Sequence, residues 1–145
     1  MRHVLIAAAV FAVLGACAGD EENKAGPIGP PTPAEISITI TSADAGRAFD
    51  IAAGGRFAVE LVGVPTAGYL WEPATLPDVL TLVETLGGPT HTDQLQPGYA
   101  GGNHWEVFVF EATGRGQGDL SFEQRQPWDT DSPPVATFTV TIDVH

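Results

Sequence analysis

The chain has 145 residues, with 18 acidic against 6 basic side chains, a formal net charge of −12 and a single cysteine. That balance excludes nucleic acid as a partner, because such binding is driven by cationic groups that displace counterions from phosphate. One cysteine, Cys17, leaves no disulfide within the chain, so the domain must stand on its hydrophobic core.

Residues 1–16 place Arg2 and His3 before an apolar run from Val4 to Leu14. The run is shorter than the ~20 residues a spanning helix needs and reads as an export signal. It ends in Leu14-Gly15-Ala16-Cys17, which resembles the lipobox of bacterial lipoproteins. The resemblance implies a lipid on Cys17, which becomes the first mature residue; an ordinary signal peptide is the alternative. Ala18 is not the aspartate that retains some lipoproteins in the inner membrane. The expected location is therefore the bacterial cell envelope, lipid-anchored, at the outer membrane or cell surface. Removal of residues 1–16 leaves Lys24, Arg47, Arg56, Arg115 and Arg125 against all eighteen acids. Residues 18–34 are polar and rich in Gly and Pro, and their composition predicts a flexible tether between the anchor and a domain at 35–145.

From Glu35 the hydrophobic period is two. Ile36, Ile38 and Ile40 alternate with Ser37, Thr39 and Thr41, and short strands follow around 48–51, 57–62, 69–71 and 79–85. His104 to Ala112 sets Trp105, Val107 and Val109 against Phe108 and Phe110, a strand expected to be buried on both faces. GRGQG at 114–118 turns into Leu120 and Phe122, and Val135 to Val144 closes the chain with four alternating apolar residues. Seven or eight strands in about 110 residues, joined by Gly/Pro turns and without a helical period, predict an all-β fold. The expected architecture is an antiparallel β-sandwich of immunoglobulin-like proportions.

Catalytic groups are scarce. Ser37, Ser42, Ser121 and Ser132 lack a nucleophile-elbow context, and Asp129 and Asp131 read as solvated turn acids, so no enzymatic site is expected. His91-x-Asp93 and His104-x-Glu106 have the residue types of metal ligands but read as exposed polar positions; no metal or cofactor is expected. Three inter-strand segments stand out instead. In VPTAGY, residues 64–69, Pro65 fixes its own φ and Gly68 allows positive φ, a stiff and narrow projection. The connection 87–103 carries Gly101 and Gly102, and RQPWDTDSPP, residues 125–134, sets Trp128 in an acidic, Pro-rich loop where it reads as a binding residue.

In this order the segments resemble the chagasin-like inhibitors of papain-type cysteine proteases. That family is an immunoglobulin-like sandwich with an N-P-T-T-G-aromatic loop, a G-x-G-G loop and an R-P-W/F loop. The first pattern is matched at Pro65, Thr66, Gly68 and Tyr69, the second at Gly101 and Gly102, and the third at Pro127 and Trp128. Val64 and Ala67 replace the family's Asn and second Thr, which removes side chains that brace the loop. Tyr99 replaces the first Gly of the second loop, and Gln126 stands before Pro127, with Arg125 displaced by one residue and turned to the opposite face.

The resemblance implies a reversible, tight-binding inhibitor, acting as a monomer, whose loops at about 64–69, 97–103 and 125–129 block the protease cleft. Pro65, Thr66, Ala67, Gly68, Tyr69, Gly101, Gly102, Arg125, Pro127 and Trp128 would make the contact, with Thr66 nearest the protease's nucleophile. A second reading is kept open: a non-inhibitory surface lipoprotein that uses the same end of the sandwich for adhesion, envelope assembly or carbohydrate.

Overall fold

The computed structural model describes residues 25–145, so Cys17, the signal sequence and the start of the expected tether lie outside the described residues. Eight strands form two four-stranded sheets. They are β1 (Thr39–Thr41), β2 (Ala48–Ile51), β3 (Arg56–Gly63), β4 (Leu70–Thr75), β5 (Leu80–Pro89), β6 (His104–Ala112), β7 (Gly116–Arg125) and β8 (Ala136–Val144). The first sheet is ordered β1-β3-β6-β5 and the second β2-β8-β7-β4. Two edge pairings, β1 with β3 and β2 with β8, are parallel, so the sandwich is mixed and not purely antiparallel. The cause is local. The chain crosses from the first sheet to the second through the 3-10 turn Ser42–Asp44, where the Asp44 carboxylate accepts from the Thr41 amide at 2.8 Å. Each short strand then adds to the edge it reaches.

Period-two alternation carries the core. Phe57, Val59 and Leu61 of β3 face Phe108 and Phe110 of β6 and, from the other sheet, Leu120, Phe122, Phe138, Val140 and Ile142; all are buried. Phe57 stacks on Phe110 at 5.4 Å between ring centroids, and Phe108 meets Phe122 at 4.9 Å, separations at which aromatic pairs add stability beyond their area. As expected, β6 is buried on both faces, because Ala58, Val107 and Val109 form a second cluster on the outer side, packed by Ile36 and Leu86.

Two departures from the sequence expectation lie on this outer side. Ile36 is in no strand; the chain turns at Pro33–Ile36, where the Ile36 amide donates to the Pro33 carbonyl at 3.0 Å, and regular pairing starts only at Thr39. Nor is the stretch 25–34 a free tether. Ile28 and Thr92 donate backbone hydrogen bonds to Thr90 and Gly26, at 2.8 and 2.9 Å, and the Trp105 indole donates to the Ile28 carbonyl at 2.7 Å. Thr32 donates to the Glu60 carboxylate further along. Hydropathy missed this arm because backbone groups and one indole hold it, while its own side chains are mostly small or polar.

Candidate functional site

Strand registers bring the three predicted loops to one end. Gly63 and Pro89 each pair with His104, so the β3–β4 loop and the β5–β6 connection leave the first sheet side by side. Leu70 pairs with Arg125 and Gln124 with Ala136, which sets the β7–β8 connection beside the start of β4.

The central loop is a single 3-10 turn, Pro65–Ala67, closed at its neck. Val64 and Tyr69 exchange backbone hydrogen bonds of 2.9 and 3.2 Å, Ala67 donates to Val64 at 3.0 Å, and Gly68 donates to Pro65 at 2.9 Å. Proline at the first turn position presets φ, and Gly68 ends the turn at φ +78°, a left-handed conformation. Thr66 and Ala67 are exposed at the tip. The bracing expected to be lost with Val64 and Ala67 is supplied by backbone.

The third loop leans on the first. Trp128 is 72 % exposed, yet its ring edge lies on Gly68: a Cβ there would collide with Cη2 and stand 2.9 Å from Cζ2. Gln126, the residue that breaks the family pattern, donates its side-chain amide to the Ala67 carbonyl at 2.9 Å. Arg125 is engaged within its own strand and loop. Its guanidinium pairs with Glu123 and donates to the Thr130 and Ser132 carbonyls at 3.5 and 3.4 Å, so it braces the loop from within. Asp129 is held below the usual carboxylate range by hydrogen bonds from Ser132, whose amide donates at 3.1 Å.

The second loop is organised by Gln94, which sequence reasoning passed over. Its Oε1 accepts from the Thr90 and His91 amides at 2.7 and 2.9 Å, and its Nε2 donates to the Asn103 carbonyl at 2.8 Å, closing the base of residues 90–103. Gly101 and Gly102, each with φ +94°, lead into that closure, and a Cβ on Gly102 would stand 2.7 Å from Gln94 Nε2. His91 accepts from the Asp93 amide as the cap of the turn Thr92–Leu95, and among the described residues no group of three potential metal ligands converges.

Glu106 corrects the reading of an exposed polar position. It shares the inward face of β6 with Phe108 and Phe110. Its Oε2 accepts from the Trp71 amide at 2.9 Å, while Oε1 is shielded from solvent without a hydrogen-bond partner. Burial, partly offset by the Trp71 bond and reinforced by Glu72, pushes this carboxyl up from its ordinary value.

With this geometry in view, comparison with known proteins is decisive. The chagasin family peptidase inhibitor I42 pattern matches residues 50–142. The chain belongs to the chagasin family of peptidase inhibitors. Its members are inhibitors and not enzymes, in keeping with the expected lack of a catalytic centre. Among solved structures, the fold is similar to the cysteine protease inhibitor EhICP2 from Entamoeba histolytica at 16% identity, covering 74% of this chain and 95% of that one, with a TM-score of 0.64. Amebosin is similar at 26% identity, covering 74% and 97%, with a TM-score of 0.58. PbICP-C, solved in complex with falcipain-2, aligns at 16% identity over 74% and 99%, with a TM-score of 0.47. No curated protein matches the sequence significantly.

Proposed function

We propose that this chagasin-family domain is a reversible, tight-binding inhibitor of papain-like cysteine proteases, with the loop end of the sandwich as its wedge. The observation that carries this reading is the joining of the central and third loops: the Trp128 ring seated on Gly68 and Gln126 bonded to Ala67. The central loop enters the cleft tip first, and Trp128 and the Gly101-Gly102 loop rest on its two shoulders. A papain-like enzyme must attack a carbonyl held in extended backbone. In this loop the carbonyls of Val64, Pro65, Ala67 and Tyr69 already accept internal hydrogen bonds, in a turn that is not extended. None of these four carbonyls reaches an oxyanion hole without breaking the loop, and those of Thr66 and Gly68 lie in a 3-10 turn and its left-handed end instead of extended backbone, so the thiolate is covered and no peptide is presented for cleavage. Because the loop is ordered before binding, little conformational entropy is lost on association.

Lipidation at Cys17 places this inhibitor on a membrane of the bacterial envelope. The docked arm supports a particular arrangement. Gly26 to Ile28 lie beside Thr90–Thr92 at the loop end, so residues 18–25 reach no more than about 30 Å even fully extended. The wedge then faces a target close to the anchoring surface.

The test is titration of the purified chain against papain and a cathepsin L-like enzyme, with Trp128→Ala alongside. Sub-micromolar inhibition weakened by the substitution supports the wedge. No inhibition of either enzyme at micromolar concentration refutes it.

A further inference from the structure

The carboxyl of Glu106 has no part in the wedge surface, yet it sits where the central loop rejoins the sandwich. It comes from β6 in the first sheet and bonds the Trp71 amide of β4 in the second. A second bond closes the same junction: the Trp71 indole donates to the Val62 carbonyl at 2.9 Å. Room for the carboxyl exists because residue 63 is glycine. A Cβ there would overlap Glu106 Oε1 and stand 2.8 Å from Cδ and 3.1 Å from the Tyr69 carbonyl oxygen. The unpartnered Oε1 and the Tyr69 carbonyl thus both border the space left by the missing side chain of Gly63, and Tyr69 is the last residue of the loop. The Tyr69 carbonyl accepts from the Val64 amide and keeps a second lone pair; an ionised carboxylate beside it is repelled, whereas a protonated Oε1 can donate to that lone pair.

We propose that Glu106 is a positioning residue for the inhibitory loop, acting as an uncharged acid whose Oε1–H donates to the Tyr69 carbonyl while Oε2 accepts from the Trp71 amide. The proposal rests on the wedge reading for its effect on inhibition, but not for its effect on the fold. The surroundings favour the neutral acid. Glu72 approaches from β4, the Tyr69 phenol belongs to the loop itself, and the residues that β3 and β5 bring to this end, Leu61 to Gly63 and Leu86 to Pro89, carry no titratable side chain. His104, two residues before Glu106 on β6, is the other titratable residue lining the same groove of about 330 Å³. No lysine or arginine lines that groove.

The sign follows from linkage. A carboxyl whose folded-state pKa is raised contributes stability that is fully present below the ordinary value of 4.5 and is lost as pH rises through the folded-state value. Glu106→Gln fixes the neutral pattern at every pH, its amide donating where the acid would donate. Glu106→Ala removes both bonds.

The experiment measures the melting temperature and the inhibition constant of the full-length chain, Glu106→Gln and Glu106→Ala from pH 4.5 to 8, and repeats the series in a His104→Asn background. Taking ratios at each pH cancels titration of the protease. The ratio of wild-type to Gln inhibition constants should be near one at low pH and rise with pH by no more than tenfold per unit, and the Gln variant's melting advantage should widen over the same window. The Ala variant should be weaker than both at low pH. Flat ratios and a constant melting difference overturn the proposal, as does a Gln variant as weak as Ala. If the wild-type chain inhibits nothing, the wedge reading falls, while the melting series still decides the role of Glu106.

Discussion

Gly68→Ala tests whether two loops act as one body. Gly68 has φ +78°, where a side chain costs about 1–2 kcal/mol. An alanine Cβ would also occupy the place of the Trp128 ring, colliding with Cη2 and standing 2.9 and 3.1 Å from Cζ2 and Cζ3. Trp128 is largely exposed, so it can swing off its seat with little loss of folding stability. Stability should therefore fall by about the backbone term alone, 1–2 kcal/mol. Binding suffers more, because a displaced anchor of the tryptophan type costs at least about 2 kcal/mol, roughly 30-fold in the inhibition constant. The decisive assay is a double-mutant cycle on papain inhibition with Trp128→Ala. Once the indole is gone, Gly68→Ala has nothing to displace, so the two losses should overlap and their sum exceed the double-mutant effect by about 1 kcal/mol or more. Simple additivity would refute the seating of the indole on the glycine as the source of the wedge's rigidity.

Further outcomes follow from the same contacts. Gln126→Ala removes one hydrogen bond to the Ala67 carbonyl and should raise the inhibition constant by about 2- to 10-fold with little change in melting temperature, read by titration. Gln94→Ala unties four bonds at the base of the second loop and should speed proteolytic nicking between 96 and 103, visible by mass spectrometry. Trp105→Phe removes the indole donor to Ile28 and should cost about 1 kcal/mol, a drop of several degrees in calorimetry, without altering inhibition. Cys17→Ser should abolish incorporation of labelled palmitate.

The strand layout was legible because the inward-facing residues of β3, β6 and β8 recur with a period of two, although Ala58, Val107 and Val109 are buried on the outer face as well, and Phe57, Phe110, Phe122 and Ile142 lie where alternation puts them. The loop motifs were legible because Pro65 and Gly68 impose their geometry locally. What could not be read were contacts between residues far apart in sequence that carry no pattern of their own. Gln126 reads as a broken motif until its amide is seen on Ala67, 59 residues away. Glu106 reads as the polar member of an alternating strand, whereas the register that pairs Leu61 with Glu106 sets its carboxyl beside Gly63 and the Trp71 amide. The arm at 26–32 reads as linker because its composition is that of a linker, although Trp105 and the edge of the β5–β6 connection hold it in place.

These long-range contacts also resolve the tension left by Val64 and Ala67. A loop that blocks a protease without being cut has to resist extension, and side-chain bracing at those two positions is one way to achieve that. Here the resistance comes from outside the motif. The neck is closed by backbone bonds between Val64 and Tyr69, the tip is tied by Gln126, one flank carries the Trp128 ring, and the exit strand is held at Glu106. To extend, the loop must break contacts with β6 and with the β7–β8 connection together, and each such contact contributes on the order of 1 kcal/mol. Substitutions at Val64 and Ala67 should therefore affect inhibition less than substitutions at Gln126, Gly68 or Glu106. Restoring the family's residues, Val64→Asn and Ala67→Thr, should change the inhibition constant by less than about threefold, whereas Gly68→Ala should raise it by roughly 30-fold. The reverse ranking would mean that the loop's stiffness is local after all, and that its neighbours only fill space.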